Sequence, residues 1–189
     1  MHQNLYLPPR VLPGAVVRLE RRAAKVARGV LRGERSREAP DLPGAARRNH
    51  MATLYHQVWV HAPTVKLYEA ISTEHGIGSW WDKPKALQSE NGPVLEFSPG
   101  AEHGVLRMKV LERVPGKRVE WECISTHPKT SPASAWTGTH VIFEISERET
   151  GTTLDFRHSG WDENSEYLGF CNYQWGVALQ KLKQWCESQ

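Results

Sequence analysis

From residue 53 onward the chain switches between two hydrophobic periods. "TLYHQVWVHA" (53–62) alternates apolar and polar positions and is rich in β-formers, which predicts a strand. "PTVKLYEAIS" (63–72) changes to helical spacing, with Pro63 at the first helical position and Val65, Tyr68 and Ile71 on one face. A second short helix is predicted through "TEHGIGSWW" (73–81). Alternation then returns in "PVLEFSP" (93–99), "HGVLRMKVLERV" (103–114), "KRVEWECIST" (117–126), "THVIFEISER" (139–148) and "GTTLDFRHSG" (151–160), joined at "PG" and "ETG" by tight-turn chemistry. The chain closes with residues 164–187, where Leu168, Cys171, Trp175, Leu179, Leu182 and Cys186 recur every three or four positions. That stripe predicts a long amphipathic helix.

Strand, two short helices, a meander of strands and one long helix make an α+β domain. Its sheet is curved and antiparallel, of about six strands, and the last helix has the length and apolar stripe to cover one face. Alternation sends Leu106, Met108 and Val110 inward, with Val119, Trp121 and Cys123 beside them. Val141, Phe143, Ile145, Leu154, Phe156 and His158 continue that face, while Arg107, Lys109, Glu120, Glu122, Glu144 and Arg157 face out. In the first strand both registers hold aromatic or β-branched residues, so its phase stays open.

Charge divides the chain. Residues 1–50 carry 11 Lys/Arg against 4 Asp/Glu and the remainder 13 against 17, so the overall +3 hides a basic segment joined to an acidic one. Residues 15–32 show a basic amphipathic helix pattern, which suits a transit peptide, a membrane-surface anchor or a nucleic-acid arm. Its apolar face is mostly Ala and Val, however, and every Trp and Phe lies after Met51. Residues 1–50 therefore read as an extension, disordered or from a mis-assigned start, and 51–189 as the folded domain; no nucleic-acid partner is expected. Cys123, Cys171 and Cys186 form an odd set without CxxC spacing, giving neither a disulfide framework nor a zinc site. With no run of about 18 apolar residues, no transmembrane segment is expected, and the location is read as cytoplasmic.

The segments "HAPTVKLYEAIS", the "WW" pair, "LERVPGKRVEWE", "THVIFEISERETGTTLDFRHSGW" and "WGVALQKLKQWCE" resemble the helix-grip superfamily of START-like and Bet v 1-like proteins, also called SRPBCC. Within it the likeness is strongest to the branch named after the C-terminal domain of the activator of Hsp90 ATPase, and it covers essentially all of 51–189. It implies a helix-grip fold with a cavity between the long helix and the sheet. Relatives of this kind include lipid and hormone carriers, polyketide aromatase/cyclases and co-chaperone domains, so fold does not dictate function.

In such a cavity the expected lining is Trp81, Phe97, Leu106, Met108 and Trp121, joined by Phe143, His158, Leu168, Asn172 and Trp175. The same residues could instead fill the interior. Trp80 and Trp136 are expected at the rim or gate, Trp136 because it lies near the end of the 125–139 loop and Trp80 because adjacent indoles near a helix end cannot point the same way. Trp81 is then the wall, and Trp80 packs on the first helix or lies partly exposed. The loop 125–139, long for a hairpin, is either a flap carrying Trp136 or a moving gate. His158 is the one candidate catalytic residue, as ligand anchor or proton donor, against a core histidine bonded to a carbonyl or to the Trp136 loop.

No GxSxG, HExxH or P-loop is present, and no cofactor or metal is expected. Three readings follow: a carrier or sensor for a small lipophilic or aromatic molecule, a protein-interaction module with a chaperone-type partner, and a cyclase-like enzyme. The oligomeric state, a homodimer included, stays open.

Overall fold

A computed structural model describes residues 50–188. The basic segment and its expected helix over 15–32 lie outside the described residues. Strand β1 (Met51–Val60) is followed by α1 (Thr64–Ser72) and α2 (Glu74–Gly78). Strands β2 (Lys85–Ser89), β3 (Gly92–Phe97), β4 (Leu106–Val114) and β5 (Arg118–Cys123) come next. A 3-10 turn (Pro132–Ala135), β6 (His140–Arg148), β7 (Gly151–Asp162) and α3 (Leu168–Glu187) complete the order.

All strand pairs are antiparallel, and the seven strands run in the order β1-β7-β6-β5-β4-β3-β2. This is the helix-grip arrangement, with one strand more than the alternation predicts. The extra strand is β2, which lies at the sheet edge with four of its five residues exposed, so it carries no inward-outward pattern to read. The closing pair β1–β7 joins the first strand to the last, with Leu54 opposite His158 and Val58 opposite Leu154. That pairing settles the open phase: Leu54 and Val60 are buried, whereas Tyr55 and Trp59 are exposed on the outer face.

The inward set on β4 to β7 is buried as the alternation requires, from Leu106 and Met108 through Trp121 and Phe143 to Phe156 and His158. Helix α3 begins at Leu168 rather than 164 and packs the stripe Cys171, Trp175, Leu179, Leu182 and Cys186 against the core. Two expectations for α1 need correction. Pro63 is the N-cap rather than the first helical residue, and Val65 is 71% exposed, because the packed face is Leu67, Ala70 and Ile71.

The chain then turns sharply into α2. A Cβ on Gly76 would lie 2.1 Å from the Glu69 carbonyl oxygen, so only glycine allows this close approach. Thr73 caps α2 by accepting from Gly76 N–H at 2.9 Å. This tight corner sets where Trp80 and Trp81 enter the core. The outer face of the sheet carries an ion-pair ladder instead, in which Arg118 meets Glu112, Glu120 and Glu144, and Arg157 also meets Glu144.

Candidate functional site

Trp81 is the hub of an aromatic cluster. Its ring stands 6.1 Å from Trp80, 6.3 Å from Trp136 and 6.5 Å from Trp121, all within 26° of parallel, and it meets Phe97 and Trp175 at a tilt. Trp136 stacks on Trp175 at 5.6 Å. Trp80 and Trp81 are therefore stacked on each other rather than splayed to opposite sides. Trp80 is 3% exposed, and its indole N–H donates to the Ala70 carbonyl at 2.9 Å, which fastens it to α1. The splayed arrangement fails because both residues lie past the end of α2, where Trp80 reaches back to α1 while Trp81 packs beside it against Phe97, Trp121 and Trp175.

A cavity of about 420 Å³ opens beside this cluster. Trp80, Trp81 and Asp82 form one side; Pro132, Ala133 and Trp136 of the 3-10 turn form another. Helix α3 contributes Phe170, Cys171, Gln174, Trp175, Ala178 and Lys181, and the β3–β4 connection adds Pro99 and His103, with Leu106 at the start of β4. Of the expected lining, Trp81, Leu106 and Trp175 border this space, as do both rim residues. Phe97, Met108, Trp121, Phe143 and His158 lie fully buried behind it. Leu168 packs at the start of α3, and Asn172 faces a separate open groove with His56, Tyr173 and Gly176.

Gln174, beside the apolar stripe, and Asp82, beside the rim tryptophan, are positions the sequence also points to as anchor and portal, whereas His103, Ala178 and Lys181 join the lining without being expected there. On α3 a signal existed: Gln174, Ala178 and Lys181 follow one another at helical spacing along the flank of the apolar stripe. His103 had none, since only the folded β3–β4 connection brings it to the cavity.

His158 is 0% exposed, and both ring nitrogens are committed to protein. Trp175 Nε1–H donates to Nδ1 at 2.9 Å, so the proton sits on Nε2. That nitrogen faces Thr139 Oγ1 at 2.7 Å, and the Thr139 hydroxyl donates onward to the Trp136 carbonyl at 2.6 Å. Burial, helped by His140, pushes the imidazole pKa down to about 3, keeping the ring neutral. This chain joins β7, α3 and the 125–139 loop in a single network. Burial likewise pushes the Cys123 and Cys171 thiols up, and Cys186 up to about 11, against a nucleophilic role.

The 125–139 loop is tied down along its length. His127 Nδ1–H donates to the His103 carbonyl at 2.7 Å, which leaves Nε2 to accept from the Ser125 hydroxyl at 2.9 Å. Ser125 Oγ also accepts Arg107 N–H, and Ser131 Oγ bonds His103 Nδ1 at 2.9 Å while capping the 3-10 turn. These hydroxyl–imidazole pairs are spent on fastening the loop. Trp136 lies half-buried over the cluster, its N–H on Cys171 Sγ at 3.5 Å.

With this architecture in place, comparison decides the lineage: the model of the activator of Hsp90 ATPase homolog 1-like protein family matches residues 61–187. The chain belongs to that family. Among solved structures, the Aha1 dimer from Colwellia psychrerythraea is 28% identical, covering 72% of this chain and 96% of that one, with a TM-score of 0.61. A Mesorhizobium loti protein is 25% identical over 70% of this chain and 95% of its own, with a TM-score of 0.58. CalU16 from Micromonospora echinospora, at 18% identity, 71% and 73% coverage and a TM-score of 0.53, shows the shared fold alone. No curated protein matches the chain.

Among the described residues no group of three or more His, Cys, Asp or Glu could hold a metal ion. No described helix is long and apolar enough to cross a membrane.

Proposed function

We propose that this member of the activator of Hsp90 ATPase homolog 1-like family binds a small lipophilic or aromatic molecule in the cavity beside Trp81. The observation that carries the reading is one space of about 420 Å³ bordered by four indoles, those of Trp80, Trp81, Trp136 and Trp175, with Asp82, His103, Gln174 and Lys181 also lining it. An apolar wall with a few polar groups is the usual makeup of a small-molecule site. Burying about 200 Å² of ligand surface there gains about 5 kcal/mol before ordering costs, so affinity depends on what the polar groups add. Phe97, Met108, Trp121 and Phe143 support the wall from behind, and His158 holds Trp175 and the Trp136 loop in place.

Native mass spectrometry of the full chain purified from its own host, with organic extraction of bound material, tests this reading. A stoichiometric adduct of some hundreds of daltons supports it. A clean apo mass that persists after incubation with a lipophile extract overturns it.

A second reading, a module that pairs with a copy of itself or with another protein, is favoured by the apolar side chains α3 leaves in solvent. Phe170, Tyr173 and Val177 are 51%, 68% and 37% exposed. The similar Colwellia protein is described as a dimer. Sedimentation of the full chain over a concentration series decides it: a monomer at all concentrations removes the self-pairing form.

A further inference from the structure

Strand β1 is an edge of the sheet, with β7 on one side and no strand on the other among the described residues. In an antiparallel pair, the backbone groups of successive residues face opposite sides of the strand. The Val60 carbonyl faces the β7 side, close against Gly151. Trp59 therefore faces outward, and its carbonyl is taken by Lys183 Nζ of α3. The next outward amide, His61 N–H, is taken by Glu187 at 2.8 Å. By the same alternation, the outward groups of Thr53, Tyr55 and Gln57 are left without a protein partner among the described residues. Side chains of α3 bound that window at one end, and the register shift between Ala52 and Thr53 bounds it at the other.

Proteins usually blunt a long sheet edge with Lys, Pro or a covering segment. Met51–Val60 contains no Lys, Arg, Asp, Glu or Pro, and only its Trp59 end is covered. On the outer face, Tyr55 Oη and Gln57 Nε2 both donate to Asp155 Oδ1, at 2.6 and 2.9 Å. Those bonds draw both side chains toward β7 and clear of the edge. Thr53, Tyr55 and Gln57 are spaced evenly about Tyr55, so the open window is complementary to itself when reversed.

Resting on the self-pairing reading above, we propose that a second copy of this chain fills the window, its β1 antiparallel to this one about a two-fold axis at Tyr55. Tyr55 exchanges both backbone hydrogen bonds with its counterpart, and Thr53 does so with Gln57 of the second copy. No charged side chain on either β1 meets another. The axis stands normal to the sheet, so the two α3 helices lie antiparallel on one face. The groove shared by His56, Tyr173, Gly176 and Val177 lies where α3 flanks β1, so each helix covers the exposed Tyr173 and Val177 of the other. A foreign strand would satisfy the backbone groups but needs neither the symmetry of the window nor the helix beside it.

The test measures amide hydrogen exchange of the full chain by NMR over a concentration series, beside sedimentation. In the dimer, the Thr53, Tyr55 and Gln57 amides are expected to exchange at least about tenfold slower than unstructured-chain rates, all three together. Tyr55→Pro removes an outward donor that β7 does not use, a change that edge strands tolerate. It is expected to raise the dimer dissociation constant at least about tenfold, because two hydrogen bonds are lost across the axis. The wild-type exchange pattern decides the matter where Tyr55→Pro does not fold. A dimer whose three edge amides exchange near unstructured-chain rates overturns the β1 pairing and leaves the self-pairing reading standing, as does a folded Tyr55→Pro with an unchanged dissociation constant. A monomer at every concentration overturns both, and leaves the edge to a strand of another protein.

Discussion

On the β7 side of the aromatic cluster, the polar atoms of Trp175, His158 and Thr139 are all paired. Trp175 donates to His158, His158 to Thr139, and Thr139 to the Trp136 carbonyl, all within one buried chain. On the β5 side, the stacked pair Trp81 and Trp121 has no such partners among the described residues, although the residue types are alike. The difference teaches that one aromatic cluster can be fixed by hydrogen bonds on one side and by ring packing alone on the other. Where the hydrogen-bond chain closes, the structure is locked; beside the cavity, Trp81 is held by ring contacts alone.

Breaking the locked side should cost most. His158→Ala leaves the Trp175 N–H without an acceptor and a void at the core, and is expected to destabilise the fold by about 3–5 kcal/mol. Urea denaturation at neutral pH measures it, and a loss under about 1 kcal/mol would show that the chain is not structural.

The next effect is on pH dependence. His158 has a folded-state pKa pushed from 6.5 to about 3, so the unfolded chain takes up the proton first. Its contribution is fully present above pH 6.5 and is lost as pH falls toward 3. Between pH 6.5 and 4.5 that loss is about 2–3 kcal/mol. Comparing wild type with His158→Gln over this range isolates it from the carboxylates, and identical slopes would contradict the buried neutral ring.

On the open side the balance should reverse. Trp81→Ala is expected to cost only about 1–2 kcal/mol of stability, since the ring is half-buried and untethered, yet to remove the bound adduct seen by native mass spectrometry. Retained binding would sink the role of Trp81 as the wall. Smallest of all, Arg118→Gln on the outer ladder should change stability by less than about 1 kcal/mol, and less still in high salt, because its partners are solvated. A larger loss would mean that the ladder matters as a network.

Much of this architecture was legible before folding. Period-2 runs identified β3 to β7 and their inward residues, and the three-four spacing of Leu168 to Cys186 identified the cover helix. β2 escaped because an edge strand exposed on both faces leaves no alternation to see. The site was half legible. Trp81, Trp136 and Trp175 stood out as aromatics near turns or on the stripe, but His103 and Asp82 lie on connections whose direction no local pattern encodes. Helical geometry places Trp80 and Trp81 on opposite sides, whereas the chain leaves the helix at Gly78, after the corner that Gly76 permits, and the two rings stack.

The sequence by itself determined the element order, the sheet face and the family likeness, because backbone period and side-chain polarity are local properties read in order along the chain. Only the tertiary structure decided which nitrogen of His158 carries its proton, that the Trp136 loop is fastened down, and that Trp121 lacks an acceptor among the described residues. Those depend on groups far apart in the chain meeting within about 3 Å, a distance that no periodicity specifies.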